Sequence, residues 1–210
     1  MTSPRPAGRY MTPEEYLAFE ERSPVRHEYV GGVVHAMSGG SVRHARIIGN
    51  VLSRLREASA GGRCEAFAQV LKVSVDEETF YYPDVLVTCG ALDEEAVVVT
   101  DPCLLVEVLS PSTRVVDRRE KVSNYRRIAA LRAYLIVETR YRKVERYWRG
   151  AGGGWQYDVA TPDAGGQVAV PCPKGVLTLD QIYEGVTYRP RLRRIKEPAP
   201  AYAVTPGGKS

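Results

Sequence analysis

No segment of this 210-residue chain approaches the roughly 18 consecutive apolar residues of a membrane span. Its Pro- and Arg-containing start also lacks the apolar stretch of a secretion signal. A cytoplasmic protein with no membrane partner is therefore expected. Histidine is scarce, at three residues, and no two stand at zinc-ligand spacing, which leaves little for His-based catalysis. There is no phosphate-cradling loop of the P-loop kind and no Gly-x-Ser-x-Gly turn for a serine nucleophile. The four cysteines, Cys64, Cys89, Cys103 and Cys172, form no close pair in sequence, and two lie in apolar runs. Reduced, structural thiols are the expectation. Net charge is only +4, which by itself says little about a polyanionic partner.

What is present suits one globular domain. With 44% hydrophobic and 26% charged residues, the chain can bury a substantial core. We expect a flexible tail over residues 1–9, a single domain over 10–189, and a disordered basic and Pro-rich tail over 190–210. Thr12-Pro13-Glu14-Glu15 reads as a helix start with a capping box. Two short strands flank Gly31-Gly32 as a hairpin, with Glu28 on the first. A helix through about residue 59 carries Ile47, Ile48, Val51, Leu52 and Leu55 at the 3.6 period, and Gly61-Gly62 stops it. Strands follow around 64–75, 82–88 and 103–109. A helix over about 115–130 is expected to turn Val115, Val122, Tyr125 and Ile128 to the core. Strands at 133–137, 142–148 and 155–159 complete the pattern, the last two joined by a glycine-rich loop at 150–154. The unit 103–137 is long enough for a right-handed crossover between parallel strands. The fold class expected is α/β, a central mixed β-sheet with a helix on each face.

Two acids stand out against this apolar background. Asp84 follows Pro83 and opens the run Asp84-Val85-Leu86-Val87, and Glu107 lies inside Cys103-Leu104-Leu105-Val106-Glu107-Val108-Leu109. An ionised carboxylate among such residues is costly unless a cation or hydrogen bonds compensate it. Downstream of Ser110-Pro111-Ser112-Thr113, a helical stretch carries Asp117, Lys121 and Tyr125 at i, i+4 and i+8, along one side. Two acids on strands with a lysine nearby resemble a divalent-metal hydrolase centre. Residues 114–149 hold twelve Lys or Arg against four acids, a local charge of +8. Beginning beside the acids, that cluster suits a phosphate-facing surface, with Arg114, Arg118 and Arg119 as candidate nucleic-acid contacts. A solvated helix face and an exposed hairpin are the plainer reading.

These residues carry a family resemblance. Tyr82-Pro83-Asp84-Val85, the run Leu105-Val106-Glu107-Val108-Leu109-Ser110-Pro111-Ser112-Thr113, and then Asp117, Lys121 and Tyr125 resemble the Uma-two family of restriction endonuclease-like proteins, within the PD-(D/E)XK nuclease superfamily. The similarity extends more loosely from about residue 10 to 185, through Arg26-His27-Glu28-Tyr29 and His44. It implies a restriction endonuclease-like core and a metal-dependent endonuclease acting on DNA. It further implies Mg2+ or Mn2+ held by Asp84, Glu107 and the backbone carbonyl of Val108. Hard oxygen donors suit such an ion. Lys121 would orient the attacking water or stabilise the transition state, with Glu28 as a further catalytic candidate and His44, Ser110, Asp117 and Tyr125 as secondary ones. Two departures mark the chain. Leu109 stands where the superfamily usually has its lysine, which Lys121 would replace, and Gly31 stands where the family commonly has an acid.

Each residue also admits a structural role. Asp84 could cap a turn, Glu107 could pair with a buried arginine, and Lys121 could be solvated. Asp117 could be a simple i, i+4 partner of Lys121, and Glu28 could pair with Arg26. His44 could help cap its helix, Tyr125 could belong to the core, and Ser110 could only end a strand. The competing function is a non-cleaving nucleic-acid-binding or regulatory protein on a nuclease fold. A homodimer is plausible for the enzyme, since a double-strand cut needs two centres.

Overall fold

The computed structural model describes residues 10–110 and 114–188. The two expected tails and Pro111-Ser112-Thr113 lie outside the described residues. Helix α1 (Pro13–Arg22) begins with the expected capping box: Thr12 Oγ1 accepts from the Glu15 N–H and Glu15 Oε2 accepts from the Thr12 N–H. Strands β1 (His27–Val30) and β2 (Val33–Ala36) form a hairpin. Gly31 and Gly32 both have positive φ, 52° and 87°, as the tight two-residue turn between right-twisted strands requires. Helix α2 (Val42–Ser59) is capped by Ser41 and buries Ile47, Ile48, Val51 and Leu55. The strands β3 (Glu65–Ala68), β4 (Lys72–Asp76), β5 (Thr79–Tyr81), β6 (Val85–Thr88), β7 (Val98–Val99) and β8 (Pro102–Val108) follow. Helix α3 (Arg114–Tyr125) leads to β9 (Ala133–Val137), β10 (Val144–Arg149) and β11 (Trp155–Ala160). The hairpin of β12 (Gln167–Pro171) and β13 (Lys174–Thr178) and the short α4 (Leu179–Ile182) close the described chain.

The main sheet has six strands in the order β11-β10-β9-β8-β6-β3. It is mixed: β8 and β9 are parallel across the α3 crossover, while β6 and β8 are antiparallel. Side chains alternate along the central strands, except where Cys103 and Leu104 both enter the same core beside the register shift at Val87–Thr88. Leu104, Val106 and Val108 meet α2 in one core, and Leu105 and Leu109 meet Val122 and Tyr125 of α3 in another. Both faces of β8 are therefore covered, which is why its sequence is almost unbroken in apolar residues. A second sheet, β2-β1-β5-β4-β7, carries the first hairpin. Among the described residues no helix is long and apolar enough to cross a membrane.

Several sequence expectations are corrected. The stretch 64–75 is two strands in different sheets, parted by a bend over residues 69–71 in which Gln69, a non-glycine residue, has φ 54°. Helix α3 ends at Tyr125 rather than near 130. The Arg149 guanidinium takes the carbonyls of Arg126, Ile128 and Leu131, and Trp155 Nε1 also donates to Arg126. These donors satisfy chain-end carbonyls that another helical turn would have used. Val115 is 62% exposed instead of core-facing, although it shares a helix side with the buried Val122; on that side the first turn of α3 stays outside the core. The cysteines are not free: Cys64 is bonded to Cys89 and Cys103 to Cys172. Strand register explains the first pair. Glu65 lies opposite Thr88, so the next residues out, far apart in sequence, come level.

The +8 segment is also less cationic in space than in sequence. Glu138, fully buried at the end of β9, receives Arg114 and Arg118. Glu145 takes Arg118 and Lys143 at 2.7 and 2.8 Å. Asp76, Asp158 and Asp180 answer Arg127, Arg146 and Arg142. Burial works against the ionised form of Glu138, but the Arg114 guanidinium, the Arg140 N–H and Arg118 outweigh it and hold the carboxyl at about 2. A carboxyl depressed on folding stabilises the native state above its ordinary value of 4.5, and that contribution is lost as pH falls toward 2. Glu138→Gln should cost about 2–3 kcal/mol at pH 7, because it leaves the partly buried Arg114 guanidinium without its carboxylate, while Arg118 keeps Glu145. Urea denaturation at pH 7 and pH 3 checks this, with the gap between wild type and variant expected to narrow at the lower pH.

Candidate active site

The site grows from strand register. Val85 of β6 lies opposite Val106 of β8, so Asp84, one residue ahead of β6, comes level with Glu107. Asp84 is held from three sides. The Val108 N–H donates to its Oδ2 at 2.7 Å, and Gln69 Nε2 donates to its Oδ1 at 3.0 Å. His44 Nε2 sits 3.4 Å from Oδ2 and 2.8 Å from the Val108 carbonyl. The carboxylate of Asp84 and the carbonyl of Val108 thus converge on one point. His44 reaches that point from the first turn of α2, where its N–H bonds to the Ser41 cap. A Cβ on Gly40 would lie only 2.5 Å from His44 Nδ1, so any side chain there would displace the imidazole.

The second half of the site centres on Lys121. Its Nζ lies 2.9 Å from Glu107 Oε1, 2.8 Å from Glu28 Oε1 and 3.4 Å from Asp117 Oδ1. The Tyr125 hydroxyl donates to Glu107 Oε1 at 2.9 Å, so this residue belongs to the core and to the site at once. Glu28, brought in by the first hairpin, pairs with Lys121 and also accepts from the Tyr82 N–H at 3.4 Å. The Tyr81 ring lies under Lys121 Nζ at 5.3 Å. The position that would hold a solvated lysine is only 3% exposed, and Glu107 is 4% exposed.

Four carboxylates, those of Glu28, Asp84, Glu107 and Asp117, therefore face one lysine and one histidine in a nearly dry site. Burial pushes the Glu107 carboxyl well up; Lys121 opposes this, but Asp117, Asp84 and Glu28 add to it. Burial would lower Lys121, yet Glu107, Glu28 and Asp117 hold it well above the ordinary lysine range, so it stays cationic. Burial also lowers His44, but the hydrogen bond and charge of Asp84 and the Val108 carbonyl turn the balance upward. Even with both bases protonated the centre carries an excess of negative charge, all of it on hard oxygen donors. That is the environment a small divalent cation compensates, and Asp84, Glu107 and the Val108 carbonyl fit such an ion.

Ser110 is half-buried just past β8, and the three arginine candidates lie outside the cluster. Arg114 and Arg118 are committed to Glu138 and Glu145, while Arg119 is exposed. Gln69 is a contact that the sequence reading missed. Its signals are a lone amide in the otherwise apolar stretch 66–71 and its positive φ, a conformation rare for non-glycine residues and often seen at functional positions.

Comparison with known proteins bears on this centre. The Uma2 family, described as "Putative restriction endonuclease", matches residues 13–175. The uncharacterized protein slr1290 of Synechocystis sp. is 38% identical over 147 residues, covering 69% of this chain and 77% of that protein. The uncharacterized protein sll1609 of the same organism is 33% identical over 152 residues, covering 70% of this chain and 85% of its own length. In fold, the chain is similar to a crystal structure of a putative nuclease belonging to DUF820 from Anabaena variabilis. The TM-score is 0.69 at 17% identity, covering 82% of this chain and 97% of that one.

The charge balance makes opposite predictions for two neighbours. Lys121→Met should destabilise the metal-free protein by about 3–5 kcal/mol, because it leaves buried carboxylates without their cation. Glu107→Gln removes one like charge, keeps an acceptor for Tyr125, and should change stability by less than about 1 kcal/mol, in either direction. Urea unfolding in the presence of a chelator measures both; equal losses would contradict an excess of negative charge.

Proposed function

Because the chain belongs to the Uma2 family of putative restriction endonucleases, we propose that it is a divalent-metal-dependent endonuclease hydrolysing DNA phosphodiester bonds. Asp84, Glu107 and the Val108 carbonyl would hold Mg2+ or Mn2+. The observation that carries this reading is the buried cluster in which three carboxylates surround Lys121 and a fourth, Asp84, meets His44 and the Val108 N–H, at the level ends of β6 and β8. When bound, the ion supplies a water of lowered pKa and offsets charge on the scissile phosphate.

The chain's own residues divide the remaining work. Gln69, the Val108 N–H and His44 fix the Asp84 carboxylate, so that it meets the ion without reorganising. Lys121 is an ammonium with three donors and no lone pair, directed at three carboxylates. It acts as a donor to the attacking water or to the phosphate, and its longest contact, to Asp117 at 3.4 Å, is the one most readily exchanged. Tyr125 and Glu28 keep Glu107 and Lys121 in register with one another.

A cleft of about 840 Å³ offers a surface for the nucleic-acid backbone. It is lined in part by Arg43, Arg140, Tyr141 and Tyr188. Arg43 is the sequence neighbour of His44 and bonds the carbonyls of Thr139 and Thr187. Among the described residues neither Arg43 nor Arg140 is in an ion pair. These two arginines replace Arg114 and Arg118 as the favoured phosphate contacts. The alternative of a non-cleaving binder, which drew on the basic 114–149 segment, has less to rest on once much of that charge is internally paired. A double-strand cut would need two such centres, so the proposal includes a homodimer on DNA.

Asp84→Ala and Glu107→Ala should each abolish Mg2+-dependent cleavage of mixed DNA substrates while keeping the native circular dichroism spectrum; retained cleavage in either would sink the assignment. Arg43→Ala combined with Arg140→Ala should weaken binding and lower the slope of log affinity against log salt by about 2, one unit per phosphate contact. Fluorescence anisotropy at several salt concentrations reads this directly.

A further inference from the structure

The cysteines gather at the opposite end of the strands that carry the acids. Strand β6 runs from Asp84 at its start to Cys89 just past its end, and β8 runs back from Cys103 to Glu107. Five residues of strand separate Asp84 from Cys89, or about 17 Å. Cys64 enters from the residue before β3, and Cys172 from the turn between β12 and β13. The Sγ atoms of Cys64, Cys89 and Cys172 all lie within 4.8 Å of one another. Cys89 Sγ is also 3.2 Å from Cys172 Sγ and 3.5 Å from Cys103 Sγ. Three sulfurs thus meet within 4.8 Å of one another, and the fourth, Cys103 Sγ, lies just outside that group while contacting two of its members, Cys172 and Cys89; no two of the four are close in sequence.

We propose that Cys64, Cys89, Cys103 and Cys172 form a tetrathiolate site for one Zn2+ ion in the reduced protein, with the two disulfides as its oxidised form. With Zn–S bonds of about 2.3 Å, a tetrahedral site spaces its sulfurs by about 3.8 Å, close to the separations from Cys89 to Cys172 and Cys103. The donor set is soft and sulfur-only, which selects zinc over the hard cations suited to the carboxylate centre. Cys103 and Cys172 are buried, while Cys64 and Cys89 are half-buried, so a reductant and a metal can reach the cluster from one side. Opening both disulfides takes four electrons and four protons, supplied by two molecules of a dithiol that leave as disulfides. The four thiols then lose four protons as four S–Zn bonds form. The disulfides tie the β12–β13 hairpin, a sheet of only two strands, to β8 through Cys172 and link β3 to β6 separately, whereas one shared ion would join the hairpin to the ends of all three strands. A lone two-stranded hairpin is marginal without such support.

The test uses the full-length protein, reduced with dithiothreitol, stripped of metal and titrated anaerobically with Co2+. The expected result is one Co2+ per chain, with near-ultraviolet sulfur-to-cobalt charge transfer and the intense visible bands of a tetrahedral thiolate site, all displaced by one equivalent of Zn2+. Cys64→Ser and Cys172→Ser should each lose or weaken those bands, and Asp84→Ala should keep them, which separates this site from any Co2+ held by the carboxylates. Wild-type protein whose four thiols are shown to be free yet gives no charge-transfer band would overturn the proposal. Bands unchanged in both serine variants would overturn the four-cysteine assignment.

Discussion

A single ammonium surrounded by carboxylates sets the terms for the rest of this molecule. Lys121 and Glu107 are both almost fully buried and 2.9 Å apart, and a buried pair of this kind persists only where further hydrogen bonds hold its geometry. Each surrounding element contributes one of those restraints. The first hairpin brings Glu28, α3 brings Asp117 and the Tyr125 hydroxyl, and Tyr81 places its ring beneath the ammonium. The packing of α3 on the sheet, the position of the second sheet's first strand and the depth of Glu107 are in this sense one problem with one solution.

The same arrangement explains why the centre is unbalanced. A protein selected only for stability would match its buried charges or replace them with apolar side chains of similar volume. Here β8 is apolar on both faces except at Glu107, and the inward side of α3 is interrupted by Asp117 and Lys121. The remaining arginines of the segment are handled differently. Arg114, Arg118, Arg127, Arg142 and Arg146 lie nearer the surface and are matched by acids from other elements, so local sequence charge overstates the field that an approaching polyanion would meet.

The main sheet has a division of labour along its strands. At one end of β6 and β8 lie hard oxygen donors and a lysine; at the other end lie four sulfurs that anchor the final hairpin. Between them runs the alternating core that packs α2 on one face and α3 on the other. Because the central strands are short and covered on both sides, they hold both clusters on the same rigid frame.

Local rules of capping, turn chemistry and hydrophobic spacing located α1, α2, β9 and the β10–β11 pair. The oddity of Asp84 and Glu107 in apolar surroundings, and the common side of Asp117, Lys121 and Tyr125, were equally visible, because burying a charge is costly wherever the chain goes. What no single segment contains is register. The level placement of Asp84 with Glu107, the reach of His44 to the Val108 carbonyl, the Gln69 bond to Asp84, the internal pairing of Arg114 and Arg118 and the meeting of four scattered cysteines all depend on which strands lie side by side. Strand pairing is decided by the joint burial of whole faces, so the sequence determined the ingredients and the tertiary structure decided which of them touch.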